Sequence, residues 1–346
     1  MENVKDRIPL SIFSAQRQLL MGFATAAILL IHSNLFFEIH NAVRTTWDLL
    51  FGAVDVFLFL SGLGLYYSFY KNKNLSLFYL HRFMRIIPQF LIVSVFWLVL
   101  HNSLITIKDF CGDVFLLRFW TTGARRYWFI SLIFVLYLAY PIVHFIYERY
   151  QKPGFLVLLT GVIVFTVWAS HYLENYSDYE IALTRVPSFL LGAWVGKCSK
   201  EERRISRKSI WISLAVVTAL WIACYYGIIG IVTTLPYRYS CALFCICFSY
   251  LLAILFSKFT LINIKIFFAW LGSYSLECYL IHEKIIHFIE PHFGVGLYYG
   301  IVQSIIGLVI SLVLAVCLKH FCSNLMSEFS ALRKNLKSKE EQYITR

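Results

Sequence analysis

Charge is what this chain has least of. Asp, Glu, Lys and Arg make up 14% of its 346 residues, where a soluble domain carries about 25%. From Gln18 to Phe37 the sequence QLLMGFATAAILLIHSNLFF contains no Asp, Glu, Lys or Arg, and its one ionisable side chain is His32. No Gly-rich phosphate loop, HExxH helix or GxSxG elbow occurs, so the motifs of P-loop nucleotide hydrolysis, zincin proteolysis and α/β-hydrolase chemistry are missing. The nine cysteines fall mostly in apolar stretches without paired metal-ligand spacing. Cys245 and Cys247 are two apart, and so point to different faces of a helix. Embedded small hydrophobes are the reading, with no metal and no disulfide framework. The net charge of +12 comes without a zinc-finger, helix-turn-helix or RNA-binding signature, so no nucleic-acid partner is expected. No cleavable signal peptide is expected either, because the first apolar run is too long and starts near residue 18.

What is present is apolar length. Hydrophobic residues make up 59% and mean hydropathy is +0.69. About twenty apolar residues cross a bilayer core of roughly 30 Å. Ten candidate spans follow one another, near 19–39, 47–69, 84–105, 127–147, 153–173, 181–198, 209–231, 238–257, 262–282 and 297–319. Runs of this length are too long for barrel strands, and only helices or closed barrels satisfy the backbone in lipid. The expected fold is an all-α polytopic membrane bundle of about ten transmembrane helices. Its parts are an N-terminal segment 1–18, a membrane domain 19–320 and a tail 321–346. With the N-terminus inside, fourteen loop lysines and arginines fall on the cytoplasmic side and seven outside, among them Arg44; this bias predicts that both termini are cytoplasmic.

Against that apolar background the ionisable residues stand out, because a charge inside the bilayer marks function or a pairing. On antiparallel spans His32 and Asp55 are predicted at similar depth. There Asp55 would orient the imidazole and leave its other nitrogen as a base, or the two would simply glue adjacent helices together. Arg82 and Arg85 share one face at the start of the third span. They suit either lipid headgroups or the phosphates of a nucleotide-bearing donor.

The ordered motifs resemble the acyltransferase 3 family, membrane acyltransferases that modify hydroxyls on glycans, antibiotics and lipids. The pieces are MGFATAAILLIHS, GAVDVFLFLSGLGL, HRFMRIIPQF, YWFISLIFVLYLAYP, RVPSFLLGAWVGK and LGSYSLECYLIH, in the family's order across residues 14–320. The resemblance implies that acyl-CoA, acetyl-CoA above all, binds from the cytoplasm with Arg82 and Arg85 on its phosphates. It also implies that His32 is the catalytic group. One departure matters: the arginine usual eleven residues before that histidine is replaced by Met21. Arg17, one turn earlier, is the candidate substitute.

Later residues complete the candidate site. Arg185 is expected to face the bundle interior, pairing with a carboxylate such as Glu277 or lining a substrate cavity. Glu277, His282 and Trp128 are candidate acceptor contacts, although Trp128 and Trp47 also suit an interfacial aromatic belt. The tail is too short for the extracytoplasmic esterase-like domain that some family members carry, so transfer is expected within the membrane domain. The functional expectation is a multi-pass O-acyltransferase, most plainly an O-acetyltransferase, of a bacterial cytoplasmic (inner) membrane. It would act on a hydroxyl of a cell-envelope polysaccharide or a lipid-linked precursor, with glycan or glycolipid and the lipid bilayer as partners. The rival is a proton-coupled secondary transporter using the His/Asp pair. No obvious sequence repeat relates the two halves of the chain, which counts against that rival.

Overall fold

The computed structural model describes residues 7–33, 49–101, 106–227, 234–258, 260–289 and 297–344; Arg44, Trp47 and His292 lie outside them. The chain enters through a short strand, β1 (Arg7–Pro9), and a single turn, α1 (Ile12–Ala15). α2 (Arg17–His32), α3 (Ala53–Lys71) and α4 (Leu75–His101) follow. Short helices α5 (Ile107–Val114) and α6 (Arg118–Thr122) lead to a 45-residue helical run, α7 (Trp128–Tyr172). Beyond it come α8 (Tyr176–Leu183), α9 (Val186–Lys200), a second strand β2 (Arg204–Ser206), α10 (Arg207–Tyr225) and α11 (Thr234–Lys258). The last elements are α12 (Ile262–Ser273), α13 (Ser275–Ile289) and α14 (Leu297–Ile344). Antiparallel pairing of β1 with β2 and a hydrogen bond from Tyr250 to Ile8 O (3.1 Å) hold the entry segment. Phe13 packs on Phe59 and Tyr250, which fixes where α2 begins.

The fold is all-α apart from that two-stranded ribbon. Among the described residues five helices are long and apolar enough to cross a membrane, or six if α12 and α13 form one broken span. Helices 17–32 and 186–200 are shorter than the spans expected there, whereas α4 begins nine residues before the expected 84. Expected spans 127–147 and 153–173 are the two arms of α7, which breaks at Gln151 (φ 52°, ψ −135°). An unbroken helix would separate residues 146 and 154 by about 12 Å. Here a methyl group added to Gly154 would touch Ile146, so the chain folds back. Along the first arm Val135, Leu138, Ile142 and Phe145 are exposed while Leu136, Tyr140, Val143 and Tyr147 are buried. The exposed stripe has helical spacing and is the surface a bilayer would cover.

Two close helix contacts build the site's frame. Between α3 and α9, a Cβ on Gly192 would overlap Phe59 O, and one on Gly62 would overlap Phe189 O. Between α2 and α12, Gly22 lies against the Phe268 backbone and Gly272 against that of Gln18. Small residues allow such backbone approach in membranes, where packing rather than hydrophobicity drives association. Gly192→Val is therefore expected to lower stability by about 3 kcal/mol, the upper end of overpacking effects. Gly161→Ala, with open space at its Cα, should stay within about 1 kcal/mol of wild type. Thermal unfolding of the solubilised protein reads both.

The single ninth span expected at 262–282 is instead two half-helices that meet at Tyr274 and bend by 76°. A break in lipid leaves backbone groups without partners unless a neighbour supplies them. Lys319 of α14 donates to Ser273 O at the break (2.5 Å), and its ammonium lies over the Tyr274 ring. The bend swings α13 toward α2.

Candidate active site

Helices α2, α3, α4, α7 and α13 line a narrow cavity. Order along the helices orients it. Arg17, Ser61, Arg85 and Tyr137 line one end; Met21, Thr25, Phe57, Ile86 and Ile133 line the middle; Ile28, Phe129, Tyr279 and His282 line the other. From Arg17 to His32, α2 rises about 22 Å. An end lined by Arg17 and Arg85 leads through an apolar stretch to His282.

Arg17 sits at the arginine end because Gly64 leaves the space its guanidinium occupies, and its Nε donates to Leu60 O (3.2 Å). Arg85 and Arg82 are close enough to Arg17 for their charges to repel. Arg82 is half-buried, its guanidinium lies over Phe78, and its buried Nε has no hydrogen-bond partner. Among the described residues none of the three guanidiniums is in an ion pair with a carboxylate. Three gathered cations without a counterion have the donor geometry to meet an anion with several oxygens.

At the far end the rings of His32 and His282 meet edge to face, with centroids 4.8 Å apart. Nδ1 of His32 lies 2.9 Å from Ile28 O, and Nδ1 of His282 lies 2.8 Å from Cys278 O. A carbonyl only accepts, so each Nδ1 carries a hydrogen, and in the neutral ring Nε2 is the nitrogen with the lone pair. Nε2 of His282 is buried and without a partner.

Asp55 does not orient His32 as expected. It is buried, accepts a hydrogen bond from Ser188 Oγ (2.7 Å) and lies 3.7 Å from Arg185 Nε. The glycine contacts between α3 and α9 bring the first turn of α9, with Ser188, against the first turn of α3, with Asp55. Arg185 thus pairs with Asp55 and not Glu277. It also donates to Ile181 O (2.7 Å), and its guanidinium covers the face of Trp128 at 5.2 Å. Glu277 accepts from Gln89 Nε2 (2.9 Å), and neither it nor Trp128 lines the cavity. Removing one partner of a buried ion pair leaves a bare charge and costs about 3–5 kcal/mol. Asp55→Asn is expected to show a loss of that size in thermal unfolding, and Asp55→Asn combined with Arg185→Gln should recover part of it.

The family model described as an acyltransferase domain matches residues 18–320, nearly the whole chain. The chain belongs to the acyltransferase 3 family. No curated protein and no solved structure matches it. In this membrane acyltransferase the first-span histidine lies behind His282, against its ring, and of the R-x-x-R arginines Arg85 lines the opposite end of the cavity. Met21, where the family's arginine usually stands, is part of the apolar wall; the guanidinium from α2 at the cationic end is that of Arg17.

Some residues of this acyltransferase's site were not legible beforehand. Ser188, the hydroxyl partner of Asp55, and Gln89, the partner of Glu277, carry no sequence signal: no side-chain cap bond forms at the start of α9, and Gln89 lies inside α4. Thr25 gave none, since its hydroxyl donates to Met21 O within its own helix (2.8 Å).

Proposed function

We propose that this protein is an O-acyltransferase, with acetyl as the group moved, which takes the acyl group from acyl-CoA at the cytoplasmic face. The acceptor is a hydroxyl of a cell-envelope polysaccharide or of its lipid-linked precursor, and the location is a bacterial inner membrane with both chain termini inside. The observation that carries this reading is one cavity with Arg17 and Arg85 at one end and His282 at the other, with Arg82 beside the arginines and the His32 ring against His282. The nucleotide phosphates of the donor match Arg17, Arg82 and Arg85. An extended pantetheine arm matches the apolar stretch, and it brings the thioester toward His32. The asymmetry of lysine and arginine between loops supports the orientation.

In this reading His32 Nε2 is the general base. The acceptor hydroxyl attacks the thioester carbonyl, its proton passes to the imidazole, the C–S bond breaks, and the departing thiolate takes the proton back. Asp55 and Arg185 act at one remove, holding α3 and α9 together beside the cavity. Mass spectrometry of envelope glycans from cells with and without the gene tests the proposal. Loss of an acyl substituent with the gene is the expected outcome, and identical glycans would contradict it.

A further inference from the structure

His282 and His32 come from opposite ends of the chain, and the bend at Tyr274 is what brings them together. Their rings are 4.8 Å apart at 81°. Each is anchored through Nδ1–H to the carbonyl one turn earlier on its own helix, so neither Nδ1 is free to act. That leaves Nε2 as the free nitrogen of each ring, with His282 on the cavity wall and His32 directly against it. His282 lines that cavity directly, is 1% exposed, and its Nε2 meets no donor. A buried acceptor left without a donor is destabilising, and it persists here at the end of the cavity where chemistry is proposed.

We infer that His282 is a second catalytic imidazole, sharing with His32 the proton that the acceptor hydroxyl loses. The inference rests on the acyl-transfer reading and adds to it. Two neutral imidazoles with fixed tautomers can hold one added proton between them, as N–H⁺ on one ring and lone pair on the other. In the transfer step the hydroxyl oxygen bonds to the thioester carbon and its proton enters this pair. As the C–S bond breaks, the thiolate sulfur takes that proton. The products are an ester and a free thiol, and both histidines return to their neutral forms. A positive charge developing in an apolar chamber is unfavourable on one ring alone. A second neutral imidazole 4.8 Å away gives the proton another ring to reside on, so the charge is not confined to one imidazole, which stabilises the charged intermediate.

His282→Gln and His282→Phe separate this role from a packing role. Gln keeps a side-chain amide near the Cys278 carbonyl, and Phe keeps a ring edge against His32 without any nitrogen. The measurement is acyl transfer by purified protein in nanodiscs, with turnover divided by the number of acyl-CoA sites found by calorimetry, so that misfolded molecules are not counted. Both variants are expected to lose about 100-fold or more in kcat per site, the usual scale of an acid–base group, with KM for acyl-CoA within about twofold of wild type. The His32→Ala, His282→Ala double variant should be little slower than His32→Ala alone, because groups that act as a unit are not additive. If His282→Phe keeps its turnover, His282 is packing only and the inference is overturned. A rise in KM with unchanged kcat overturns it as well, making His282 a binding contact. A wild type that transfers nothing from acyl-CoA overturns the acyl-transfer reading itself and this inference with it.

Discussion

His32→Ala is expected to lower acyl transfer by about 10²–10⁴, the range for removing a general base, while the protein still inserts and folds. The ring sits at the end of its helix, its hydrogen bond among the described residues is to Ile28 of the same helix, and truncation there removes a single ring contact with α13. Stability should change little, which separates this variant from Asp55→Asn, where a buried charge pair is opened. Acyl-CoA binding should also persist, because the phosphate-binding end lies about 22 Å away along α2. Transfer assays alongside calorimetry read both quantities on one preparation. Normal acylation by a well-folded His32→Ala protein would remove His32 from the mechanism.

Loss of the arginines should move the other kinetic constant. Arg82→Ala or Arg85→Ala is expected to raise the acyl-CoA concentration for half-maximal transfer by about tenfold, and the double variant by about 100-fold. A charge-assisted hydrogen bond to an anion is worth about 1.5–3 kcal/mol, or roughly tenfold to 100-fold at 1.4 kcal/mol per decade. Arg→Lys should recover only part, since the charge returns without the planar fork that meets two phosphate oxygens at once. Arg17→Ala should behave like Arg85→Ala, because the two guanidiniums line the same end of the cavity; a kinetically silent Arg17→Ala would reduce that side chain to a headgroup contact. With a truncated donor that has the pantetheine arm but no nucleotide phosphates, all these variants should resemble wild type.

Much of the helical layout follows from hydropathy alone. The two arms of α7 and the cores of α3, α10 and α11 coincide with expected spans, because crossing lipid demands about twenty apolar residues and little else. Asp55 and His32 sit at neighbouring helix ends, as a similar depth required, whereas Arg82 and Arg85, expected at the start of the third span, lie two to three turns into α4. Azimuth was not legible. Whether Asp55 faces His32 or Ser188 depends on which helix packs beside α3, and the glycines that decide it, Gly62 and Gly192, are 130 positions apart. Pairing at similar depth was a necessary condition that the fold satisfied with a different partner. The break at Tyr274 was hidden for a related reason. Its freed carbonyl is capped by Lys319 from a later helix, so the stretch 262–282 reads as a continuous apolar run. Without that bend His282 would have stayed an outer-end contact instead of a neighbour of His32.

The central claim is that the acyl donor lies in the cavity between α2, α4, α7 and α13, with its phosphates at the arginines. The most direct measurement is photocrosslinking with an acyl-CoA carrying a photoreactive acyl chain, followed by peptide mapping of the adducts. Adducts on Phe129, Ile133 or Tyr279, suppressed by excess acyl-CoA and lost in Arg82→Ala, Arg85→Ala, are the predicted result. Adducts confined to other surfaces, such as the groove of Trp211 and Leu255 between α10 and α11, or labelling that excess acyl-CoA does not suppress, would contradict it.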